Sequence, residues 1–524
     1  MLRFSIVACF LFACLVVFAV FDYLHFYFFI LLAGILLLIG IYDVVQTKRA
    51  ILRNFPIVGH LRYIMEFIRP EMQQYFISDD LTERPLNRET RSLVYRRAKG
   101  VRDTIPLGTQ FDIDRPGYEM IRHSMAPTIV APEEARITIG NEQCSKPYSA
   151  SRLNVSAMSF GALSNNAILA LNKGAKIGNF AHNTGEGGLS EHHLAGGGDL
   201  VWQLGTANFG ARDRAGRLDP VLFKERSAEP AVKMIEIKIS QGAKPSHGGI
   251  LPAAKITPEI ARIRGIELGK DCDSPPCNPE FSTPIQLLEF LARLRELSGG
   301  KPVGFKLCLG IRKEFLGICK AIVQTQIFPD FITVDGAEGG TGAAPVEFVN
   351  SVGTPINDAV LYVDNALRGT SIRDKIRIIA SGKIATGMDM VTKIGLGADL
   401  CNSARAMMLA LGCIQSLQCN ANTCPTGVTT QNVRLARGLV VEDKCVRVAN
   451  YHHSMIHSFL ELVGAMGIHH VDDLSPKHIF HRIDYAHSRS YADLYGVCPE
   501  GRLLAAQPPE FFKKDWEEAR AEAF

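Results

Sequence analysis

The sequence predicts an α/β protein built around a (β/α)8 barrel, or TIM barrel, with an N-terminal transmembrane helical hairpin. Between residues 150 and 405, eight short apolar runs have the length of strands, and most precede a glycine-bearing turn and then helical periodicity. Strands that alternate with helices are typical of a parallel sheet, and eight such units close a barrel. A doubly wound sheet is the alternative, but no G-x-G-x-x-G motif follows an early strand.

These runs divide the chain into four regions. Residues 1–44 form the hairpin, 45–150 an amphipathic linker and covering segment, 151–470 the barrel, and 471–524 a C-terminal extension ending in a charged, solvated tail. Helices are also expected at 433–447 and 451–467. The strands are expected at 153–158, 179–183, 200–206, 234–240, 303–308, 331–334, 376–380 and 400–403.

Two apolar runs, residues 4–21 and 26–42, open the chain. The first is about long enough to cross a bilayer. A signal peptide is the alternative, but the small-residue cleavage site is missing and a second apolar run follows. Tyr23 and Tyr42 suit the interface, and Arg3 together with basic residues after Tyr42 puts both ends in the cytoplasm. We therefore expect attachment to the inner (cytoplasmic) membrane, with the catalytic domain in the cytoplasm.

The region after the hairpin has mixed character. Residues 45–100 show helical apolar spacing with basic interruptions, which suits either a membrane surface or packing on the next domain. Acidic residues such as Glu66 and Glu71 dilute the basic face, so packing is expected. Residues 101–150 are rich in Pro, Gly and Asp and are expected to cover the barrel in an extended form.

Composition excludes some classes of protein. With 57 basic and 53 acidic residues the net charge is only +4, so no strong field favours nucleic acid as a partner. The 13 cysteines are odd in number and scattered, unlike a disulfide framework, which indicates a reducing compartment. Glycine is concentrated between residues 174 and 430, which indicates that backbone approaches a ligand closely there.

Three closely spaced cysteines indicate a metal cluster. Cys413, Cys419 and Cys424 follow a C-x5-C-x4-C pattern that ends in Cys-Pro. Thiolates hold iron–sulfur clusters, and three cysteines without a neighbouring histidine fit a three-ligand cluster better than tetrahedral zinc. The alternative is three buried or free thiols in an ordinary loop. A second pair, Cys272 and Cys277, is interpreted as loop thiols because no partner pair is visible.

The turns after the seventh and eighth predicted strands suit a phosphate group. Residues 381–387 and 402–406 are rich in small residues, and Lys383 and Arg405 add positive charge. Barrels usually bind phosphate at this place, so the pair of turns indicates a phosphorylated cofactor such as FMN. Lys306 lies inside an apolar strand, where it could stabilise a reduced flavin ring from its edge or reach solvent from the strand end.

Charged residues in the other turns suggest an anionic substrate. Gln241 and Lys244 follow the fourth predicted strand, and Arg264 lies near the end of the next helix. Lys and Arg together would suit a dicarboxylate, although surface charges on a helix are the alternative. Glu186 and Glu338 lie in glycine-rich turns, where a carboxylate could hold the charge of an imino substrate, move a proton, or serve only the turn.

Taken together, six stretches resemble, in the same order, the flavin and iron–sulfur synthase domain of glutamate synthase. The resemblance spans about residues 150 to 470. The stretches are 156–164 (SAMSFGALS), 183–188 (NTGEGG), 241–245 (QGAKP), 255–262 (KITPEIAR), 339–343 (GGTGA) and the cysteine stretch 411–431.

The resemblance implies a barrel that binds FMN and a [3Fe–4S] cluster. In that family 2-oxoglutarate condenses with ammonia to 2-iminoglutarate, and reduced FMN transfers hydride to give L-glutamate. By position, the cluster ligands would be Cys413, Cys419 and Cys424, and 2-oxoglutarate would be held by Glu186, Gln241, Lys244 and Arg264. FMN would be held by Ala157, Met158 and Ser159 under the ring, by Gln241 and Lys306 near it, and by Gly382, Lys383, Ala404 and Arg405 at the phosphate.

The sequence also departs from the family pattern. No glutaminase domain precedes the barrel, and without a dinucleotide fingerprint NAD(P)H would act through a partner. Ala337-Glu338 replaces the family's His-Asp, and Cys277-Asn278-Pro279 replaces its His-His-Asp. The chain therefore looks like a standalone, membrane-tethered branch of the family.

Three functions follow from these observations. The first is reductive amination of 2-oxoglutarate, with electrons reaching FMN through the cluster from a donor protein or an NAD(P)H-oxidising subunit, and ammonia from solution or a partner. The second is a related amino-acid, keto-acid or N-alkylglutamate oxidoreductase coupled to a membrane electron carrier. The third is a non-catalytic FMN-binding membrane sensor, against which the retained Glu186, Gln241, Lys244 and Arg264 argue.

Overall fold

Eight parallel strands close a barrel in the computed structural model, which describes residues 2–18 and 23–524. Pairing of Cys401 with Leu153 joins the last barrel strand to the first. Each strand overlaps a predicted one, although several are shorter or shifted by a few residues, so the predicted barrel is confirmed. The barrel strands, labelled β1 to β8, are Leu153–Val155, His182–Asn183, Leu200–Leu204, Val232–Lys238, Val303–Leu307, Phe331–Asp335, Arg377–Ser381 and Leu400–Ser403.

A β-hairpin closes the amino end of the barrel. Its strands, Arg136–Ile139 and Tyr148–Ser151, are antiparallel. Ile139 and Tyr148 are buried together with apolar residues at the amino ends of the barrel strands, among them Phe331. The segment predicted to be extended therefore contains a regular hairpin, which fills the amino end with apolar side chains. Polar chemistry is left to the carboxyl end, where barrel active sites are built.

Helices surround the strands. Several begin at a Ser, Thr or Asp whose side chain accepts a backbone N–H, as Thr257 does from Ile260 and Thr283 from Gln286. The longer ones are Asn165–Gly178, Pro220–Ser227, Pro258–Arg264, Pro284–Leu297, Arg312–Thr325, Ile356–Gly369, Gly387–Gly395 and Arg405–Leu411, and shorter ones are Glu191–Leu194, Val346–Ser351 and Val433–Ala436.

One long helix, Val441–Ala465, replaces the two helices predicted after the cysteines. No helix-breaking residue interrupts it between 447 and 451, where the prediction placed a gap. It packs on the helix Asn165–Gly178, and Val448 lies against Gly174, whose missing side chain permits the close approach. The predicted break was wrong because Val448 and Ala449 continue the buried face of the helix through the interval.

The C-terminal extension packs on the barrel unit, so the predicted solvated tail was wrong. Its helix Glu510–Glu518 buries Phe512, whose ring lies 4.9 Å from that of Tyr362. Lys320 donates hydrogen bonds to the carbonyl oxygens of Trp516 and Ala519. The strands Ile479–Arg482 and Ser488–Ser490 form a sheet with Glu119–Ile121, and the helix Tyr491–Tyr495 follows. Apolar residues at helical spacing therefore outweigh the charges of this segment.

The first 88 residues form a separate unit from residues 89–524. Within the described part of this unit, one segment, Tyr27–Val45, is long and apolar enough to cross a membrane, and the apolar helix Ala8–Val17 is shorter. Residues 19–22, the turn of the predicted hairpin, and the side chain of Tyr23 lie outside the described residues. The helices here are Leu2–Phe18, Tyr23–Val45, Ala50–Asn54 and Gly59–Met72, with a π-helical turn at Gln73–Ile77, and Arg88–Lys99 follows at the boundary.

A buried carboxylate fixes the chain after the apolar helix. Asp43, near the end of Tyr23–Val45, is fully buried, and its Oδ2 accepts the backbone N–H of Ile57 at 2.9 Å. Nε2 of His60 lies 3.0 Å from the same carboxylate. These bonds hold the start of the helix Gly59–Met72, whose apolar side chains Leu61, Ile64 and Met72 are exposed.

Candidate functional site

A buried ion pair lies where β4 meets the turn after β2. Nζ of Lys238, at the end of β4, lies 2.6 Å from Oε1 of Glu186 and 2.6 Å from Oε1 of Gln241. Burial alone would raise the pKa of Glu186, but Lys238, with Lys244 and Arg264 near it, lowers that pKa. The glutamate is therefore ionised and oriented by a lysine.

Arg264 reaches the same place from the helix Pro258–Arg264. The residue is 5% exposed, its Nη2 donates to the carbonyl oxygen of Phe160 at 3.1 Å, and the guanidinium lies 5.3 Å from the centre of the Phe209 ring. Its Nε is buried and has no hydrogen-bond partner among the residues that the structure describes. Burial lowers the pKa of Arg264, partly opposed by Cys272 and Glu186. A guanidinium in this setting is a ready partner for an anion.

Lys244 completes the group. Its ammonium donates to the carbonyl oxygen of Ala343, in the turn after β6, at 2.9 Å. Burial and the nearby charge of Lys238 lower the pKa of Lys244 to about 8, partly opposed by Glu186 and Asp273. The residue is 3% exposed, so the interpretation of Lys244 and Arg264 as surface charges does not hold.

The structure thus brings all four predicted substrate residues together and adds Lys238. Three cations, Lys238, Lys244 and Arg264, surround the carboxylate of Glu186, and their excess positive charge suits a ligand with two carboxylates. Sequence reasoning missed Lys238, although a signal was present. Glu236 and Lys238 alternate with isoleucines along one strand, so both charged side chains point to the same face of the barrel.

The centre of the barrel holds a second polar network. The carboxylate of Glu236 is 1% exposed and accepts hydrogen bonds from Asn183 at 2.8 Å, Gln203 at 2.5 Å and Thr333 at 2.6 Å. Three donors satisfy this buried charge, which lies deeper in the barrel than the turns. It contributes negative potential below the site.

Lys306, on β5, is buried and paired. Its Nζ lies 3.3 Å from Oδ2 of Asp335, which also accepts the backbone N–H of Gly242 at 2.8 Å. Burial would lower the pKa of Lys306, but Asp335, Glu236 and Glu186 together raise it. The ammonium is therefore a permanent interior cation, and the alternative of a lysine reaching solvent does not hold.

The turns after β6, β7 and β8 lie side by side. The backbone N–H of Gly336 bonds the carbonyl oxygen of Ser381 at 2.8 Å, and Arg405 donates to the carbonyl oxygen of Glu338. A Cβ built on Gly340 would lie 3.0 Å from the side chain of Arg405, so the turn after β6 lies close against this arginine. Lys383 has a left-handed backbone with φ of 52°.

These turns form the cradle predicted for a phosphate. Gly382, Lys383, Ala404 and Arg405 all belong to it, and sequence reasoning missed that Gly340, from the GGTG stretch, lies against the same arginine. Small residues beside an arginine and a lysine fit a phosphate group. Whether they bind one stays a prediction.

The loop after β1 lies against the turn after β2. An added Cβ at Gly185 would fall 2.6 Å from the backbone nitrogen of Ser159, so the two turns touch through backbone alone. Ala157, Met158 and Ser159 are only partly buried, which leaves a platform of small and apolar side chains. A flat ring could rest there, as the prediction requires.

The three predicted cluster cysteines occupy one loop. Burial, with Cys419 and Cys424 near it, raises the pKa of Cys413 to about 11, whereas hydrogen bonds to Thr426 and Thr429 outweigh burial and lower the pKa of Cys424. Within the described chain, no three such donors gather as the site of a single ion. Three neighbouring thiols in one loop have the chemistry of iron–sulfur ligands, and whether they hold a cluster stays a prediction.

Two residues outside the cysteine stretch contact it. The hydroxyl of Tyr95, on the helix Arg88–Lys99, donates to the carbonyl oxygen of Cys413 at 2.6 Å. Lys255 donates to the carbonyl oxygen of Cys419 at 3.2 Å. Burial lowers the pKa of Lys255 to about 8, partly opposed by Cys419 and Cys424. No local pattern marked either contact, because both join segments far apart in the chain.

The residues that depart from the family pattern have structural surroundings of their own. Both carboxylate oxygens of Glu338 accept the backbone N–H of Ile356, at 3.2 and 3.0 Å, and so cap the helix Ile356–Gly369. Cys277 is exposed, whereas Cys272 is buried beside Arg264. Glu338 therefore caps this helix from the turn after β6. Cys272 lies in the short strand Cys272–Asp273 and not in a loop, whereas Cys277 lies outside regular structure.

Comparisons with known proteins show which sequences this chain resembles. The family model described as "Conserved region in glutamate synthase" matches residues 117–469. The "Glutamate synthase large subunit-like protein YerD" of Bacillus subtilis (strain 168) is 38% identical over 486 residues, which covers 85% of this chain and 92% of that protein. The archaeal glutamate synthase (NADPH) of Methanocaldococcus jannaschii is 36% identical over 321 residues.

Coverage differs between these relatives. The match to the archaeal protein covers 61% of this chain and 60% of that protein, so the chain spans about three fifths of the length of that relative. Among solved structures, a mandelate oxidase mutant with (S)-mandelic acid is 15% identical, with a TM-score of 0.43, and the likeness covers 76% of this chain and 90% of that chain.

Proposed function

The chain belongs to the glutamate synthase family of oxidoreductases, and on that premise we propose that its barrel makes L-glutamate from 2-oxoglutarate and ammonia. The observation that carries the proposal is the buried group of Lys238, Lys244 and Arg264 around Glu186. Two of these cations, Lys244 and Arg264, can each bind one carboxylate of the substrate. The third, Lys238, is paired with the ionised Glu186. A neutral substrate would leave these charges buried and uncompensated.

Different side chains of the site can bind different groups of the substrate. Arg264 can hold one carboxylate of 2-oxoglutarate through its fork of N–H donors, and Lys244 can hold the other as a point charge. Condensation with ammonia expels water and gives an imine, whose carbon then accepts a hydride while its nitrogen gains a proton. Glu186, ionised beside Lys238, can stabilise the positive charge of the protonated imine. Gln241 orients Lys238.

FMN is the cofactor we propose for the carboxyl end of the barrel. When bound and reduced, it supplies the hydride. Its phosphate would lie in the cradle of Gly382, Lys383, Ala404 and Arg405, and its ring on Ala157, Met158 and Ser159. Lys306, held by Asp335, would place a cation near the ring and favour its anionic reduced form.

A [3Fe–4S] cluster is the second cofactor we propose, with Cys413, Cys419 and Cys424 as ligands. It would supply single electrons from an outside donor, either a redox protein or an NAD(P)H-oxidising subunit. The cysteine loop supports this role by its place. Ser164, in the loop after β1, donates to the carbonyl oxygen of Gly427 at 2.7 Å, so the cysteine stretch lies against the loop proposed to carry the flavin.

The proposed site of action is the inner (cytoplasmic) membrane, with the barrel in the cytoplasm. The apolar segment Tyr27–Val45 supports it by length and composition. The helix Gly59–Met72 adds a second observation, because Leu61, Ile64, Ile68 and Met72 form one exposed apolar face.

A second candidate function follows from that apolar segment. An enzyme on a membrane can exchange electrons with a lipophilic carrier, so the same site could oxidise an amino acid or an N-alkylglutamate and pass electrons to the membrane. The chemistry at the imine carbon is the same reaction in reverse. The two candidate functions therefore differ in the direction of the reaction and in the amine that takes part in it.

One experiment tests both. Chemically reduced, purified protein is mixed with a panel of keto acids, with and without ammonium or methylammonium, and flavin reoxidation is followed by absorbance. Rapid reoxidation by 2-oxoglutarate that requires ammonium supports the proposal, and a preference for methylammonium supports the N-alkyl alternative. Absence of flavin absorbance, or a rate of flavin reoxidation that no keto acid increases, would contradict the proposed function.

A further inference from the structure

Lys255 is a buried lysine to which neither the fold nor the substrate site gives a role. It ends the short 3-10 turn Ala253–Lys255 that precedes the helix Pro258–Arg264, and it is 2% exposed. Its ammonium donates to the carbonyl oxygen of Ala162 at 2.7 Å and to that of Cys419 at 3.2 Å. One side chain thus joins the loop after β1 to the cysteine loop.

The ammonium has no carboxylate partner among the described residues, since none lies within 4.0 Å of it there. Buried lysines are rare unless an anion compensates their charge. Carbonyl dipoles supply part of that compensation. The groups near Lys255 whose negative charge would stabilise its ammonium are the thiols of Cys419 and Cys424, so an anionic centre in the cysteine loop would supply the missing compensation.

The backbone of the loop after β1 accepts hydrogen bonds from both the substrate site and the cysteine stretch. The carbonyl oxygen of Phe160 accepts a bond from Arg264, that of Ala162 from Lys255, and those of Gly161 and Leu163 from Gln431 at 3.0 and 2.7 Å. Four consecutive carbonyl oxygens therefore tie this loop to the substrate arginine on one side and to the cysteine stretch on the other. Of the side chains that make these hydrogen bonds between the loop after β1 and the cysteine stretch, Lys255 is the charged one.

We propose that Lys255 is a positioning residue for electron transfer: it fixes the cysteine loop against the loop after β1 and supplies positive charge to the cluster. This inference rests on the proposed function only in requiring the cluster. Net charge and hydrogen bonds around an iron–sulfur cluster set its reduction potential. A nearby cation favours the reduced form, which carries one more negative charge, so loss of the cation lowers the potential.

Three substitutions separate charge from bonding. K255M removes both, K255Q removes the charge and keeps a donor, and K255R keeps the charge. The control is K301M, because Lys301 also donates to two backbone carbonyls, those of Ser227 and Glu229, and burial likewise lowers its pKa to about 8. Lys301 comes just before β5, at the opposite end of the barrel.

The measurement is a redox titration of the full-length protein at neutral pH, followed by the EPR signal of the cluster. K255Q and K255M should lower the midpoint potential of the cluster by an amount equal to a change of at least about threefold in the equilibrium constant for its reduction. K255R and K301M should have the wild-type midpoint potential. Loss of the cluster in K255M alone, with a lowered potential in K255Q, also supports the proposal. Wild-type potential and cluster content in both K255Q and K255M would overturn it.

The two proposals fail in different ways. If the wild-type protein holds the cluster but its reduced flavin is not reoxidised by 2-oxoglutarate and ammonium, the proposed synthesis of glutamate is wrong. The comparison of cluster potentials between the wild type and the Lys255 variants stays valid in that case. A wild-type protein without any cluster would overturn the role of Lys255 as well.

Discussion

The ammonium of Lys238 lies 2.6 Å from Oε1 of Glu186, and the two side chains are only 7% and 15% exposed. K238M leaves the acceptor oxygens of Glu186 and Gln241 buried without this donor, although Lys244 and Arg264 still compensate the charge of Glu186. We expect K238M to lower the free energy of unfolding by about 1–3 kcal/mol, the cost of buried polar groups left without a partner. Denaturant unfolding of the variant measures this, and the double variant K238M/E186Q should recover part of the loss.

An exposed pair of the same length is the control for Lys238. Lys270 and Glu267 also lie 2.6 Å apart, but both side chains are 75% exposed. Water screens such a pair, so K270M should leave the unfolding free energy unchanged. Equal effects of K238M and K270M would show that burial of the Lys238 pair does not matter.

Lys238 also shows where sequence reasoning ends. Eight strands and the turns at their carboxyl ends follow from apolar spacing and glycine, and those turns contain Glu186, Gln241 and Lys244. A lysine inside a strand carries no turn signal, so only the alternation of charged and apolar residues along β4 could have marked it.

Contacts between distant segments could not be predicted at all. Lys255 and Cys419 are 164 residues apart, and their hydrogen bond depends on how two loops meet. The packed C-terminal helix was missed for a related reason. Phe512 is buried by the rest of the barrel unit, and the charged residues beside it conceal that from a local pattern.

Arg264 and Arg262 lie on the same helix and differ in surroundings. Arg264 is buried in the candidate substrate site, whereas the side chain of Arg262 is 64% exposed and pairs with Glu191 at the surface. We expect R264A to weaken 2-oxoglutarate binding by about 10- to 100-fold, the range of a lost charge-assisted hydrogen bond, and R262A to leave it unchanged. Titration calorimetry measures both affinities.

The conservative variant R264K adds a further comparison. It keeps the charge and loses the fork of N–H donors, so its affinity should fall between those of R264A and the wild type. An R264A protein that is folded and binds 2-oxoglutarate normally would remove Arg264 from the site.

Lys244 makes binding depend on pH. Its pKa is lowered to about 8, and only the protonated ammonium attracts a carboxylate. Below pH 8 the charge is present, and above it affinity for 2-oxoglutarate should fall, approaching about tenfold per pH unit as expected for one coupled proton. A bound carboxylate raises the pKa of the ammonium, so the fall in affinity begins near the pKa of the free protein and ends near the higher pKa of the bound form.

K244R tests this origin. Arginine stays charged throughout the range, so affinity of this variant should be flat from neutral pH to about pH 10. Calorimetric titrations at several pH values measure the profile. A wild-type affinity that does not change across the range would assign the carboxylate to other residues.

The cysteine loop predicts a cluster that depends on three thiols. C413S, C419S and C424S should each abolish the EPR signal and lower the iron content, because a serine hydroxyl is far less acidic than a thiol and does not replace it at neutral pH. Cys445 is the control, since it is buried on the helix Val441–Ala465 and donates to the carbonyl oxygen of Glu442. C445S should keep the signal.

The apolar segment Tyr27–Val45 predicts a membrane-spanning anchor. Leu31 and Leu38 are 63% and 68% exposed, so their side chains are free to face lipid. An arginine near the middle of a spanning helix costs about 2.5–3.5 kcal/mol on the insertion scale. The full-length protein should therefore stay in the membrane pellet after alkaline carbonate extraction, and L31R/L38R should be released. L31M/L38M, which keeps the apolar character, should behave as the wild type, and release of the wild-type protein by carbonate would rule out the anchor.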